Sequence, residues 1–141
     1  SPIWVSVFNR NGIKFIRNEA KVSNLTTFHC VYPVCSDLFS TISIDLLFAY
    51  LLTDVAKEIF SDNRREYGNG LKKFEPNDLN KSQVLDLSIL SKSKITEILE
   101  LYLKFKSSTD KRFITQIDSI LRNEFKITLK HDDLGLAKTA V

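Results

Sequence analysis

The chain has 141 residues, 43% of them hydrophobic and 26% charged, which suits one folded domain with a single core and excludes extensive disorder. A formal net charge of +3 is compatible with a polyanionic partner without requiring one. The longest apolar run, residues 46–52, is far shorter than the roughly 20 residues of a membrane-spanning helix. Two cysteines are too few for a disulfide framework, which favours a cytoplasmic protein.

Three segments near the start of the chain predict β-strands. Residues 3–8 and 13–16 are rich in β-branched and aromatic side chains, and the Asn-Gly pair at 11–12 between them is a strong hairpin signal. Residues 25–34 also have strand character, and Pro33 confines that strand to the edge or end of a sheet. The sequence therefore predicts an opening β-hairpin followed by a peripheral strand.

The middle of the chain predicts one long helix and one further strand. Apolar residues recur every three or four positions over residues 44–60, which indicates a single helix with one buried face, and Ser43 can cap it. Residues 63–78 lack helical periodicity and predict a structured loop with short extended pieces. Residues 83–87 predict the last strand.

The remaining residues predict two helices. One apolar stripe runs from Ile95 to Phe105, and a second, with Thr109 as its predicted N-cap, runs from Phe113 to Leu121. The short polar link between them indicates an antiparallel pair. The predicted fold class is α+β, with a small, mostly antiparallel sheet packed on the long helix and a C-terminal helical pair.

Two polar clusters are candidates for binding an anionic polymer. Residues 64–73 combine two arginines, a tyrosine, two glycines and two lysines, which are the groups that phosphate binding uses. The alternative for this loop is a solvated charge run whose glycines serve turns. Residues 17–18 and 24–29 are rich in side chains that can contact base edges, although the same side chains are common in ordinary turns.

Signals for an independent catalytic or metal site are weak. His29, Cys30 and Cys35 are the nearest approach to a ligand cluster, but they lack the paired spacing of zinc sites, and buried thiols beside a polar histidine are the preferred interpretation. The sequence contains no nucleophile elbow, P-loop or dinucleotide-binding turn. We therefore expect no catalytic residues and no metal ligands.

Residues 64–80, RREYGNGLKKFEPNDLN, resemble the C-terminal signature of bacterial N6-adenine DNA methyltransferases of restriction-modification systems. Upstream, FIRN at 15–18 and NLTTFH at 24–29 are similar to further runs of that family, so the resemblance covers roughly residues 1–90. Asn69 stands where the family has the middle of three glycines, and asparagine tolerates positive φ better than most residues.

The resemblance implies a part of a longer enzyme. The family's catalytic Asn/Asp-Pro-Pro-Tyr motif and its glycine-rich S-adenosylmethionine loop have no counterpart, and the chain begins with Ser1-Pro2 and contains no methionine. The expectation is a DNA-recognition part at residues 1–90 and a helical hairpin and tail at 91–141, together forming one compact domain. No cofactor is expected in this part; S-adenosylmethionine belongs to the parent enzyme.

The expected partners are double-stranded DNA and the missing methyltransferase catalytic domain, with no membrane. In this scheme the basic loop holds phosphates and the upstream cluster contacts base edges. The expected DNA-binding residues are Arg17, Asn18, Asn24, Thr26, Thr27, His29, Arg64, Arg65, Tyr67, Gly68, Gly70, Lys72 and Lys73. Two alternatives remain: a protein-interaction or structural module with a solvated basic loop, and a DNA-reading subunit without a methyltransferase partner.

Overall fold

The computed structural model describes residues 2–10, 12–23, 26–32, 43–61, 65–67, 71–73 and 75–127. Within these ranges the chain forms two small antiparallel sheets and five α-helices, which confirms the predicted α+β class. The strands are β1 Ile3–Ser6, β2 Phe8–Asn9, β3 Phe15–Arg17, β4 Phe28–Val31, β5 Arg65–Tyr67 and β6 Leu71–Lys73. The helices are α1 Ile44–Leu51, α2 Asp54–Ser61, α3 Pro76–Asn80, α4 Lys92–Ser108 and α5 Lys111–Glu124.

The first sheet has the strand order β3-β1-β4, with β1 in the centre. Ile3 lies opposite Arg17 and Val5 lies opposite His29, so both pairings are antiparallel, as predicted for the opening strands. The pairing of β1 with β3 confirms the predicted opening hairpin, but the connection is longer than predicted, since β1 ends at Ser6, β3 begins at Phe15 and β2 lies between them. Gly12, in the connection, has a φ of +99°, a conformation that glycine adopts without steric cost.

The second sheet, called the hairpin sheet below, has the order β2-β6-β5. It confirms the short extended pieces predicted within residues 63–78, and β2 adds a third strand from the start of the chain. A bend at Val7 carries the chain from β1 into β2, where the Val7 N–H donates to the Thr27 carbonyl at 3.0 Å. The Asn9 side-chain amide donates to the Ser6 carbonyl at 3.0 Å and closes the bend.

The predicted long helix is two helices, α1 and α2, separated at Leu52 and Thr53. The Thr53 hydroxyl donates to the Tyr50 carbonyl at 2.6 Å and accepts from the Ala56 N–H at 3.4 Å, so it ends one helix and caps the next. The carboxylate of Asp118 accepts from the Val55 N–H at 2.8 Å and satisfies a second free donor. The apolar periodicity continues across the break, which is why it concealed the boundary.

The first sheet packs on this helix pair. The rings of Phe15 in β3 and Phe60 in α2 meet edge to face, with their centroids 5.3 Å apart. The predicted packing of sheet on helix is therefore confirmed, although the helix is divided.

The strand predicted at residues 83–87 is wrong, because residues 83–86 have no regular structure and Leu87 begins a short 3-10 helix, Leu87–Ile89. The Leu85 N–H donates to the Tyr50 hydroxyl at 3.3 Å, a side-chain partner in place of a strand neighbour. Burial raises the pKa of Tyr50 to about 12, because the phenolate would lose its hydration there. Helix α3 was also missed, although Pro76 at its first turn and the Asp78 carboxylate, which accepts from the Glu75 N–H at 3.1 Å, both favour a helix start.

The predicted C-terminal pair is α4 and α5, joined by two residues. Because so short a link joins two helices that pack along each other, their arrangement is antiparallel, as predicted. Thr109 was predicted to cap α5 but instead ends α4 in a left-handed conformation, with a φ of 57°. The cap is Asp110, whose carboxylate accepts from the Arg112 N–H at 3.0 Å.

One hydrophobic core joins the two parts of the chain. It includes Ile3 and Val5 from the first sheet together with Ile98, Tyr102 and Leu121 from the C-terminal pair. None of the described helices combines the length and apolar character needed to cross a bilayer.

A buried ionic cluster reinforces the contact between α2 and α5. Arg122, only 7% exposed at its side chain, donates from Nε to Asp118 at 2.6 Å and from Nη2 to Glu58 at 2.9 Å. Burial lowers the pKa of Arg122, but the hydrogen bonds that its guanidinium donates to both carboxylates outweigh this effect and raise the pKa. Since Asp118 also accepts from Val55, the cluster ties the C-terminal helix to the start of α2.

Candidate functional site

Within the basic stretch of residues 64–73, the described residues 65–67 and 71–73 form β5 and β6, which pair in the hairpin sheet. Arg65 in β5 lies opposite Lys73 in β6, and Glu66 lies opposite Lys72. Of the expected DNA-binding residues, Arg64, Gly68 and Gly70 lie outside the described residues, and for Arg65, Tyr67 and Lys72 the description covers the backbone alone. The structure therefore shows that the described residues of this motif form two paired strands, β5 and β6.

Lys73 has a described side chain, and its charge is engaged within the protein. Its Nζ lies 2.5 Å from a carboxylate oxygen of Glu75, the residue that precedes α3. The same Nζ lies over the ring of Phe8, 5.6 Å from the ring centroid. Lys73 thus joins β2, β6 and the start of α3, which makes it a weaker candidate for a phosphate contact than an uncompensated lysine.

Phe8 and Arg10 belong to this region and were missed by the sequence analysis. The β2–β6 pairing places Phe8 opposite Lys73, and Phe8 is 50% exposed although it lies in a strand. Arg10 follows β2, is exposed, and makes no ion pair with any residue that the structure describes. Their local sequence suggested the opening hairpin, and no signal in it indicated pairing with a strand more than 60 residues away.

The threonines of the upstream cluster lie beside the hairpin sheet. Thr26 and Thr27 are both exposed, and the Thr27 carbonyl accepts from Val7, the residue immediately before Phe8. Asn24 lies outside the described residues. The structure therefore brings Thr26 and Thr27 close to β2, which pairs with β6. The upstream cluster and the basic stretch are about 40 residues apart in the sequence.

Arg17 and Asn18 lie at the other end of the first sheet. Arg17 is opposite Ile3, which precedes Phe8 by five residues and lies at most roughly 16 Å from it, since the bend at Val7 shortens the extended distance. The Arg17 guanidinium donates to the Pro2 carbonyl at 3.1 Å and lies 3.6 Å from Asp45. The buried Asn18 donates to the Val22 carbonyl at 2.9 Å. Both side chains therefore hold the fold together and are separated from the hairpin sheet.

His29 lines a groove of about 740 Å³ between β4 and the segment that begins with α3. The other groove residues are mostly apolar, and Tyr32 at its rim is 64% exposed. Cys30, also in the groove, is exposed, so the prediction of a buried thiol is wrong for this residue. Cys35 lies outside the described residues. Among described side chains, no three of His, Cys, Asp or Glu are grouped as metal ligands.

The hairpin sheet and the residues next to it therefore include an exposed aromatic ring, an exposed arginine and two exposed threonines. Aromatic rings can stack on planar ligands, and guanidinium and hydroxyl groups can donate to phosphate oxygens. This arrangement suits binding to a chain that carries both rings and phosphates.

Comparison with known proteins gives one informative similarity. No family model and no solved structure matches the chain. Type II methyltransferase M.AccI of Acinetobacter calcoaceticus is 55% identical to it over 130 residues, which cover 89% of this chain and 24% of that protein. The chain is thus similar, over most of its length, to a segment that makes up about a quarter of a Type II methyltransferase.

Proposed function

We propose that the chain is the C-terminal, DNA-binding and target-recognition part of a site-specific N6-adenine DNA methyltransferase that uses S-adenosylmethionine. The observation that carries this proposal is the 55% identity to a segment of a Type II methyltransferase. The RREYGNGLKKFEPNDLN motif adds the N6-adenine class by resemblance. In this proposal the enzyme acts within a bacterial restriction-modification system in the cytoplasm, and its catalytic domain is the chain's covalent partner.

The hairpin sheet is the proposed DNA contact. Arg64, Arg65 and Lys72 supply positive charge for phosphates, while Thr26 and Thr27 are close enough to the same sheet to contact an adjacent part of the duplex. Asn24 and His29 remain proposed base contacts. Because Arg17 and Asn18 are engaged in tertiary contacts, their proposed contribution is indirect, through the position of the first sheet.

The described groove does not fit the cofactor. Among the described residues its polar lining consists of His29, Cys30, Tyr32, Asn80 and Ser82, without a carboxylate. Nucleoside ribose hydroxyls are typically held by Asp or Glu in nucleotide-binding folds. We therefore assign S-adenosylmethionine to the catalytic domain of the longer enzyme and expect no methyl transfer from this chain alone.

The salt dependence of DNA binding tests the proposal. The affinity of the 141-residue chain for a fluorescein-labelled duplex is measured by anisotropy between about 50 and 200 mM NaCl. Each phosphate contact contributes roughly −0.9 to the slope of log K against log[salt], so three contacts give about −2.7 and a fourth from Lys73 about −3.6. We expect a slope within this range.

Matched charge removals locate the contact. Arg65→Gln should make the slope shallower by about 0.9 on every duplex, because phosphates carry no sequence information. Lys104→Gln removes one charge from an exposed position on α4 and should leave the slope unchanged. A slope near zero for the unmodified chain would instead favour a protein-interaction module, for which the exposed Tyr32 and Val84 at the groove rim provide a surface.

A further inference from the structure

We infer that Phe8 is a stacking platform for a nucleobase that has left the duplex stack, with Arg10 holding a neighbouring phosphate. This inference rests on the proposed function and adds β2 to a DNA contact that the sequence motif places on β5 and β6 alone. The first evidence is the burial pattern of the two-residue strand β2.

Phe8 is exposed at a position where its neighbours are buried. Val7 and Asn9 are each 5% exposed, whereas Phe8 is 50% exposed. Alternation of this kind is usual in a strand with one solvated face, but polar residues usually occupy that face. Half of a phenylalanine surface left in water costs free energy that burial against a ligand would recover.

The ring is held in place by charged groups. Lys73 lies over it at 5.6 Å and is itself fixed by Glu75 at 2.5 Å. Since the lysine charge is balanced by the carboxylate, this pair contributes orientation with little net charge. The backbone under the ring is also constrained, because β2 pairs with β6 and the Ser6–Asn9 contact closes the preceding bend. A ring so constrained loses little conformational entropy when a ligand stacks on it.

Arg10 supplies the charge that the Lys73–Glu75 pair does not. It follows β2 by one residue, is exposed, and has no ion-pair partner among the described residues. An aromatic ring beside an uncompensated arginine is the combination that binds single-stranded nucleic acid, with the ring under a base and the cation on the backbone.

The chemistry of the proposed reaction specifies an unstacked base. In a paired duplex both faces of each base are covered by its neighbours, so a phenyl ring has no free face to contact. An enzyme that acts on a base must take it out of the stack and must compensate for the lost stacking. Phe8 can provide part of that compensation, whereas the basic hairpin holds the flanking duplex.

The test compares two DNA probes of the same sequence, one fully paired and one with a single bulged adenine. Affinities of the 141-residue chain are measured by anisotropy at about 50 mM NaCl. Phe8→Ala should weaken binding to the bulged probe by about 5- to 150-fold, the range expected for loss of one aromatic–base stack, and should change binding to the paired probe by less than about twofold. Arg10→Gln should weaken both probes equally.

Two further variants control for structure. Leu103→Ala shortens an apolar side chain that is 61% exposed on α4 and should affect neither probe. Phe8→Trp should retain affinity for the bulged probe. The bulged probe should also quench the fluorescence that the new tryptophan adds to that of Trp4, the one tryptophan of the unmodified sequence.

The outcomes separate the two proposals. If the unmodified chain binds neither probe, the proposed function fails and the inference fails with it. If it binds both with the expected salt dependence but Phe8→Ala is silent, or weakens both probes equally, DNA binding stands and the stacking role of Phe8 is wrong.

Discussion

Substitution of Arg122 by methionine should strongly destabilise the fold. Arg122 connects Asp118 on its own helix with Glu58 on α2, and its side chain is only 7% exposed. Methionine fills a similar volume but cannot donate a hydrogen bond. The change therefore leaves two carboxylates facing each other at the α2–α5 interface without a counter-charge.

The structure allows the cost to be estimated. Breaking a buried ion pair by removing one partner typically costs about 3–5 kcal/mol. Asp118 keeps the hydrogen bond from Val55, and Glu58 is 29% exposed and can be partly hydrated, which reduces the cost to about 2–4 kcal/mol. At about 3 °C per kcal/mol for a domain of this size, the melting temperature should fall by roughly 6–12 °C.

Denaturant and thermal unfolding followed by circular dichroism measure this change. The matched control is Arg112→Met, which breaks an arginine–aspartate pair on the same helix whose arginine side chain is 87% exposed. This control should leave the unfolding midpoint unchanged, since exposed pairs are screened by water and salt. If both variants unfolded at the same midpoint as the unmodified chain, burial of the Arg122 cluster would not stabilise the fold, and the reasoning would be refuted.

Three other predictions concern the helix boundary, the buried tyrosine and the proposed chemistry. Thr53→Ala should cost about 1–2 kcal/mol in denaturant unfolding, because the Ala56 N–H loses its cap, whereas Thr96→Ala on exposed α4 should cost nothing measurable. Since the pKa of Tyr50 is raised to about 12 from 10.0, its contribution is complete below pH 10 and is lost as the pH rises towards 12. Unfolding midpoints measured across this interval should decline less steeply for Tyr50→Phe, and an equal decline would contradict the assignment. Calorimetry with S-adenosylmethionine and a methyl-transfer assay on mixed-sequence duplex should both be negative, and turnover by the isolated chain would contradict the proposed division of the enzyme.

The sequence predicted elements whose signals are local. Apolar spacing identified the buried face of residues 44–60, but it could not show the break at Thr53, because both α1 and α2 bury residues with the same periodicity. The start of α2 is also capped by Asp118, which accepts from the Val55 N–H and lies 63 residues further along the chain than Val55. Residues 83–87 have an alternating pattern typical of a strand, yet the Leu85 N–H donates to the Tyr50 hydroxyl, a partner that no pattern in the segment indicates.

The candidate site was predictable only in part, for the same reason. The basic motif was evident in the sequence, and its extended pieces were expected. Phe8 and Arg10 were not, because a two-residue strand that pairs with β6 has no periodicity to detect. The sequence did not distinguish Lys73 from Lys72, and it did not indicate the contact between Lys73 and Glu75.

The bend at Val7 has a consequence for how this protein can change over evolutionary time. Residues 3–9 are shared by both sheets, so the number of residues between β1 and β2 sets the phase of one sheet against the other. Insertion of a single residue there would exchange the two faces of β2, burying Phe8 and exposing Asn9. Relatives that retain both sheets should therefore differ in the composition of this segment but not in its length, while insertions accumulate in the connection around Gly12.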